Sequence, residues 1–415
     1  MEIKSVKEFD PGQIHEIPQE ILDSVSDIIE KVRKSGDEAL FELTYRYDGV
    51  ELKTLRAERK SGVANEEEKA AIFEAYSNIF RVSEAQKNSI TNFVMEVIPG
   101  VRVRQRIKPI EKVGIYVPGG SYPLVSTLLM CGTPAKVAGV KEIYVATPPS
   151  KNGGVNPYIL EAADLIGVDE IFTVGGAQAI AAFAHGTETI PRVDKIVGPG
   201  NIFVNAAKKL VYGTVGIDFI AGPTEILIIA DDTANPRVLA YDLLAQAEHD
   251  YNARPMIVST SRDLLLKVIE EINEILKREP HEIAESSIKN NGAFLFAENL
   301  DEAVEIANRI APEHLEVQIK FPERIINRLQ NFGTLFVGPL SAEVLGDYSA
   351  GVNHVLPTNG SARFTGGLHV KDFLKIQTIL EVHETGFDKV SKIASTLARI
   401  ESLYFHRRSV EVRNE

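Results

Sequence analysis

From Lys112 onwards the chain repeats one unit: a short apolar run, a glycine turn, then a segment of helical periodicity. Val113-Gly-Ile-Tyr-Val-Pro-Gly-Gly leads towards a helix from about Leu124, and a second apolar run follows at 142–147. Glu170-Ile-Phe-Thr-Val-Gly-Gly runs into Ala-Gln-Ala-Ile-Ala, and Lys195-Ile-Val-Gly-Pro-Gly-Asn into a further helix. Such repetition predicts an α/β fold with parallel sheets, and ligands at the carboxyl ends of the strands. A second series opens at Ala221-Gly-Pro-Thr-Glu, with strands at 226–230, 255–259, 293–297, 315–319 and 334–337. Its helices fall near 236–247, 263–277 and 300–310. Ahead of both series, residues 1–110 read as helix-rich (21–34, 37–47 and 65–86) with one half-exposed strand at 101–107. The tail from Asp372 reads as helical again, in pieces at 387–400 and 403–412.

At 415 residues the chain has room for two or three domains, and no low-complexity linker separates them. A net charge of −13 argues against a nucleic acid or an anionic membrane as partner, because both require clustered Lys and Arg. No apolar run has the length of a membrane span, and the first residues lack a signal-peptide core; the expected setting is the cytoplasm. The single cysteine, Cys131, excludes a disulfide framework or a thiolate cage, and its apolar run marks it as buried filler.

Three glycine turns, at Gly119 and Gly120, Gly175 and Gly176, and Gly198 and Gly200, bring bare backbone amides to helix starts, where phosphates bind. None spells G-x-G-x-x-G, and the second strand ends without an acid for a ribose, so a dinucleotide site and plain turn chemistry both remain open. In Leu243-Leu-Ala-Gln-Ala-Glu-His-Asp, Gln246 and His249 lie about 60° apart around a helix and could grip one cation; a solvated helix end is the alternative. Glu313 and His314 pair an acid with an imidazole between a helix and a strand, either for proton transfer or as an exposed helix-end pair. The stretch from Gly346 to Gly360 reads as a long functional loop carrying Asp347 and His354. Glu401 and His406 are roughly 140° apart on an ideal helix and can share a ligand only if the helix breaks between them. His15, His185, His281, His369 and His383 have no such company and read as structural or surface residues. Should Gln246, His249, Asp347 and His406 meet, their mixed nitrogen and oxygen donors would suit a catalytic Zn²⁺ with open positions.

Taken together, Tyr-Val-Pro-Gly-Gly at 116–120, Val-Gly-Gly-Ala-Gln-Ala-Ile at 174–180, Val-Gly-Pro-Gly-Asn at 197–201 and Ala-Gly-Pro-Thr-Glu at 221–225 resemble the histidinol dehydrogenases. Gln-Ala-Glu-His, Pro-Glu-His-Leu-Glu and Gly-Asp-Tyr-Ser-Ala-Gly-Val-Asn-His-Val-Leu-Pro-Thr extend the match, in register from about residue 15 to His406. The resemblance implies oxidation of L-histidinol through its aldehyde to L-histidine, the last two steps of histidine biosynthesis, with two NAD⁺ reduced. It implies one Zn²⁺ per subunit on Gln246, His249, Asp347 and His406, the substrate completing the shell. Thr224, His314, His354 and Glu401 would also line the substrate, and Tyr116, Gln178 and Asn201 the nucleotide. Where the family often has Ser, this chain has Thr224, which keeps the hydroxyl.

The implied fold is two incomplete Rossmann-like domains in an intertwined homodimer with shared active sites. An arm at 1–12 precedes a first domain of 13–115 with 224–367, which carries the metal. The nucleotide side is 116–223, and a helical segment at 368–415 reaches the partner. Chemically, His314 suits the general base and Glu313 the activation of water for the aldehyde hydrate, with Zn²⁺ positioning the substrate. A Zn²⁺-dependent hydrolase or lyase would use the same groups but leaves the glycine turns unexplained. A metal- or nucleotide-sensing module would not need Glu313 beside His314.

Overall fold

The computed structural model describes residues 1–11, 16–59, 64–119 and 124–414; Gly120 and His15 lie outside them. The chain opens with strand β1 (Ile3–Ser5) and two long helices, α1 (Gln19–Asp48) and α2 (Glu66–Asn88). The two segments read at 21–34 and 37–47 are two helical pieces within α1, separated as expected at Gly36, whose φ of 49° and ψ of −128° are not helical. Asn65 begins α2 with a reciprocal capping box to Glu68, which satisfies two of the amide groups that a helix start leaves open. Strands β2 (Phe93–Ile98) and β3 (Val101–Pro109) follow.

The second region alternates strand and helix: β4 (Lys112–Tyr116), α3 (Val125–Ala138), β5 (Glu142–Ala146), α4 (Pro157–Ile166), β6 (Glu170–Phe172), α5 (Gly176–His185), β7 (Lys195–Val197), α6 (Ile202–Val211) and β8 (Gly216–Ile217). All its strand pairs are parallel, in the order β6-β5-β4-β7-β8. The sequence-order direction reverses between β4 and β7, as in a Rossmann sheet.

The third region repeats the plan with β9 (Glu225–Ala230), α7 (Pro236–Ala247), β10 (Arg254–Ser259), α8 (Arg262–Arg278), α9 (Glu282–Asn291), β11 (Ala293–Phe296), α10 (Leu300–Ile310), β12 (His314–Gln318) and β13 (Thr334–Val337). The order is β1-β11-β10-β9-β12-β13, again all parallel, with the reversal between β9 and β12. β9 shows why the pattern was legible: Ile226, Ile228 and Ala230 enter one core while Leu227 and Ile229 enter the core on the opposite face. A strand covered on both sides must be apolar throughout, which is the signature of a sheet flanked by helices.

The chain ends with α11 (Glu343–Tyr348), β14 (Leu374–Val382), α12 (Glu384–Ile400) and α13 (Tyr404–Glu411). Two expectations fail here. The tail does not begin as helix, because Leu374–Val382 pairs antiparallel along the whole of β3 and completes a three-stranded sheet, β14-β3-β2. Nor is Asp347 on a structureless loop; it lies in α11. The expected grouping of 13–115 with 224–367 also does not describe the packing. Val25, Leu40 and Leu43 of α1 share a core with Ile180 and Phe183 of α5, and Ile79 of α2 packs with α3, so both helices cover the second sheet. The division at residue 115 runs through β4, the central strand of that sheet. Among the described residues no helix is long and apolar enough to cross a membrane.

Candidate active site

Thr224 immediately precedes β9 and His314 opens β12, the neighbouring strand, where it stands in register with Ile226. Helix α7 runs back against these strands, so its last turn, with Gln246, arrives at their amino ends. The polar cluster therefore lies at the amino ends of β9 and β12, not at the carboxyl ends where ligands of parallel sheets are expected. The segments entering the two strands carry the chemistry, rather than the glycine turns leaving them.

A directed set of hydrogen bonds joins the cluster. Gln246 Nε2 donates to Thr224 Oγ1 at 2.6 Å, and Thr224 Oγ1 donates to Glu313 Oε2, also at 2.6 Å. Oε2 accepts a second bond, from the Glu225 amide at 3.0 Å. His314 Nδ1 lies 3.3 Å from the Glu225 carbonyl oxygen. A carbonyl only accepts, so Nδ1 carries the proton and Nε2 keeps its lone pair. That Nε2 faces Glu343 Oε1 at 3.5 Å and Asp347 Oδ1 at 3.9 Å. The two acids sit one turn apart on α11, whose Glu343 amide is held by Glu316 Oε1 of β12 at 3.0 Å. Asp347 also lies 3.8 Å from His354 Nδ1, while His354 Nε2 is 3.5 Å from the Thr127 hydroxyl.

Burial governs the electrostatics. His314 is 4% exposed, and desolvation lowers its pKa to about 4 against the opposing pull of Asp347, so the ring is neutral at neutral pH. Desolvation likewise raises Glu313 well above the usual carboxylate range, opposed by its bonds from Thr224 and Glu225. Glu343 is raised by burial first and by Asp347 second. Gln246 Oε1, His314 Nε2 and both Glu343 oxygens are buried without a hydrogen-bond partner. Native interiors rarely leave such atoms unsatisfied, so this group is shaped for something that binds it. Ligand atoms of His314, Glu343 and Asp347 all lie within 4.8 Å of one another, a spacing compatible with a metal ion.

The structure thus brings together Thr224, Gln246, Glu313, His314, Asp347 and His354. It adds Glu343, which sequence reading missed although it stands four residues before Asp347, on the same helix face. His249 lies beyond the end of α7 and is exposed, but it is close enough for its charge to bear on both His314 and His354. Glu401 and His406 are not brought to the cluster; both are exposed on the tail. The break required between them is present, with Glu401 capping α12 and Ser402 at φ 60°.

The three residues expected to meet the nucleotide lie at the carboxyl ends of the second sheet, beside its β4–β7 reversal. Tyr116 is buried and its hydroxyl accepts the Gly176 amide at 3.1 Å, while burial raises its pKa to about 12. Gln178 is buried within α5. Asn201 caps α6, accepting from the Phe203 and Val204 amides at 3.1 Å each. Cys131 is fully buried and burial pushes its thiol up, which fits filler rather than a nucleophile. His281 and His369 serve as helix N-caps.

The model of the family "Histidinol dehydrogenase" matches residues 13–414. A histidinol dehydrogenase of Bacillus cereus is 46% identical over 408 residues, 96% of this chain and 94% of that protein. One from Methanothermobacter thermautotrophicus is 45% identical over 425 residues, 98% of both chains. The crystal structure of histidinol dehydrogenase from Elizabethkingia anophelis superposes with a TM-score of 0.92 at 36% identity, covering 97% of this chain and 94% of that one. Agreement in sequence and in three dimensions over the full site-bearing region leads to one assignment: this chain belongs to the histidinol dehydrogenase family and is an oxidoreductase.

Proposed function

We propose that the chain oxidises L-histidinol to L-histidine through the aldehyde, reducing two NAD⁺. The observation that carries this reading is the buried, unpartnered pair Gln246 Oε1 and His314 Nε2, with Gln246 linked through Thr224 to Glu313 and His314 Nε2 facing the carboxylate of Asp347. His314 Nε2 takes the alcohol proton, its free lone pair being fixed by the Nδ1 bond to Glu225. Both hydrogen bonds accepted by Glu313 fall on Oε2, which leaves Oε1 to draw a proton from the water that hydrates the aldehyde. Burial raises its pKa above the ordinary carboxylate range, which makes it a stronger base than an exposed carboxylate. NAD⁺ supplies the hydride acceptor for each oxidation, and the ends of β4, α5 and α6 around Tyr116, Gln178 and Asn201 form its crevice.

Gln246, His249, Asp347 and the partner subunit's His406 would hold Zn²⁺; Gln246 Oε1, buried without a hydrogen-bond partner, and Asp347, beside His314, support this assignment. When bound, the ion acts as a Lewis acid that retains and orients the substrate between the two oxidations. Glu401 and His406 need a second copy to reach the metal, and the surface around them fits one. Ile400 (69% exposed), Phe405 (81%) and Leu397 lie bare on the tail, as do Val94 and Leu380 on the three-stranded sheet. Large apolar side chains left exposed in this number support an interface, here a homodimer with shared sites.

Absorbance at the NADH band tests the reading. Complete conversion gives two NADH per histidinol; one NADH with aldehyde accumulating overturns the double oxidation.

A further inference from the structure

We propose that Thr224 is a positioning residue: its hydroxyl orients the Gln246 carboxamide so that the oxygen faces the metal. The inference rests on the metal reading above and gives this hydroxyl a task beyond the substrate contact that the family resemblance implies.

A hydroxyl has one hydrogen to donate and lone pairs to accept with. Glu313 Oε2 receives both the Thr224 O–H, at 2.6 Å, and the Glu225 N–H, at 3.0 Å. An ionised carboxylate only accepts, so with Glu313 ionised, as its role as a base requires, the Thr224 hydrogen is committed to Oε2. Only a lone pair then remains for the carboxamide 2.6 Å away, and of its two ends only the NH₂ can meet a lone pair. The carboxamide is locked with Oε1 turned away from Thr224, where it is buried and unpartnered, as a ligand oxygen must be before its ion arrives. Groups that fix the orientation of a metal ligand commonly tune affinity through it. The γ-methyl restricts the side-chain rotamer further, since a β-branched residue is stiff about χ1.

Zinc affinity of the metal-free full-length protein, measured by competition with a chromophoric chelator, tests this without relying on turnover. Thr224→Val removes the hydroxyl at nearly constant volume and is expected to weaken zinc binding about tenfold. Thr224→Ser keeps both hydrogen bonds and should stay within about twofold of wild type. Gln246→Ala removes the ligand, and adding Thr224→Val to it should cause no further loss, because the threonine acts only through that side chain. Thr224→Ala repeats the comparison should the valine variant not fold. Additive losses in the double variant, or a valine variant that binds zinc as wild type does, overturn the positioning role. So does a rise in the histidinol KM at unchanged zinc affinity, which would return the hydroxyl to the substrate. Wild-type protein that takes up no zinc would instead overturn the metal reading itself.

Discussion

Lys208 and Asp218 form an ion pair at 2.6 Å with side chains only 2% and 1% exposed, and both ends of it grip Gly198. Asp218 Oδ2 accepts the Gly198 amide at 2.8 Å, and Lys208 Nζ donates to the Gly198 carbonyl. Gly198 has φ 113°, a conformation closed to most side chains, and any Cβ there would collide with the Tyr116 carbonyl. The pair therefore fixes the turn between β7 and α6. Asp218→Ala leaves the Lys208 charge buried beside a single carbonyl, and breaking a buried pair from one side costs about 3–5 kcal/mol. Removing both charges as Lys208→Met with Asp218→Leu avoids the orphaned ion but leaves the Gly198 amide unpaired, and should cost about 1–2 kcal/mol.

With a urea slope of about 2 kcal/mol per molar, the single variant should unfold some 1.5–2.5 M earlier than wild type and the double variant about 0.5–1 M earlier. The midpoint of nucleotide-region unfolding is the quantity to follow by urea titration. If the single variant is no less stable than the double, an uncompensated charge does not dominate and the reasoning fails. The same loss of anchorage should raise the KM for NAD⁺ about tenfold in the single variant while zinc affinity, set at the other sheet, stays unchanged.

The shared site predicts complementation: mixing inactive His406→Asn with inactive His249→Asn should recover up to roughly a quarter of wild-type activity, since each hybrid dimer holds one intact site. Exchange of subunits without recovered activity would assign the tail to its own chain. Glu313→Gln, which keeps the Oε2 contacts but cannot take up a proton, should slow the aldehyde half-reaction by about 100-fold and the alcohol half-reaction far less. Equal slowing of both in single-turnover traces would remove the water-activating role.

Local pattern was enough to read the central strands of both parallel sheets and most of their helices, but not the short edge strands β1 and β8 or helices α4 and α9. Continuous apolar runs such as Ile226–Ile228–Ala230 against Leu227–Ile229 record burial on two faces, and Asn65 and the glycine turns record where helices begin. The motifs around Gln246, Glu313 and Asp347 were legible for the same reason, since each lies within one short segment. Three features were decided only by the assembled fold. The site stands at the amino ends of β9 and β12 because α7 doubles back on β9, a direction set by packing and invisible to strand periodicity. Leu374–Val382 became a strand because β3, more than two hundred residues earlier in the chain, offered it a full antiparallel edge; its own sequence carries no such partner. Glu343 joined the site because Glu316, reached through β12, anchors the start of α11 and aims both of its acids at His314. Sequence periodicity reports how each segment is buried, whereas contacts between distant segments depend on the three-dimensional path that connects them.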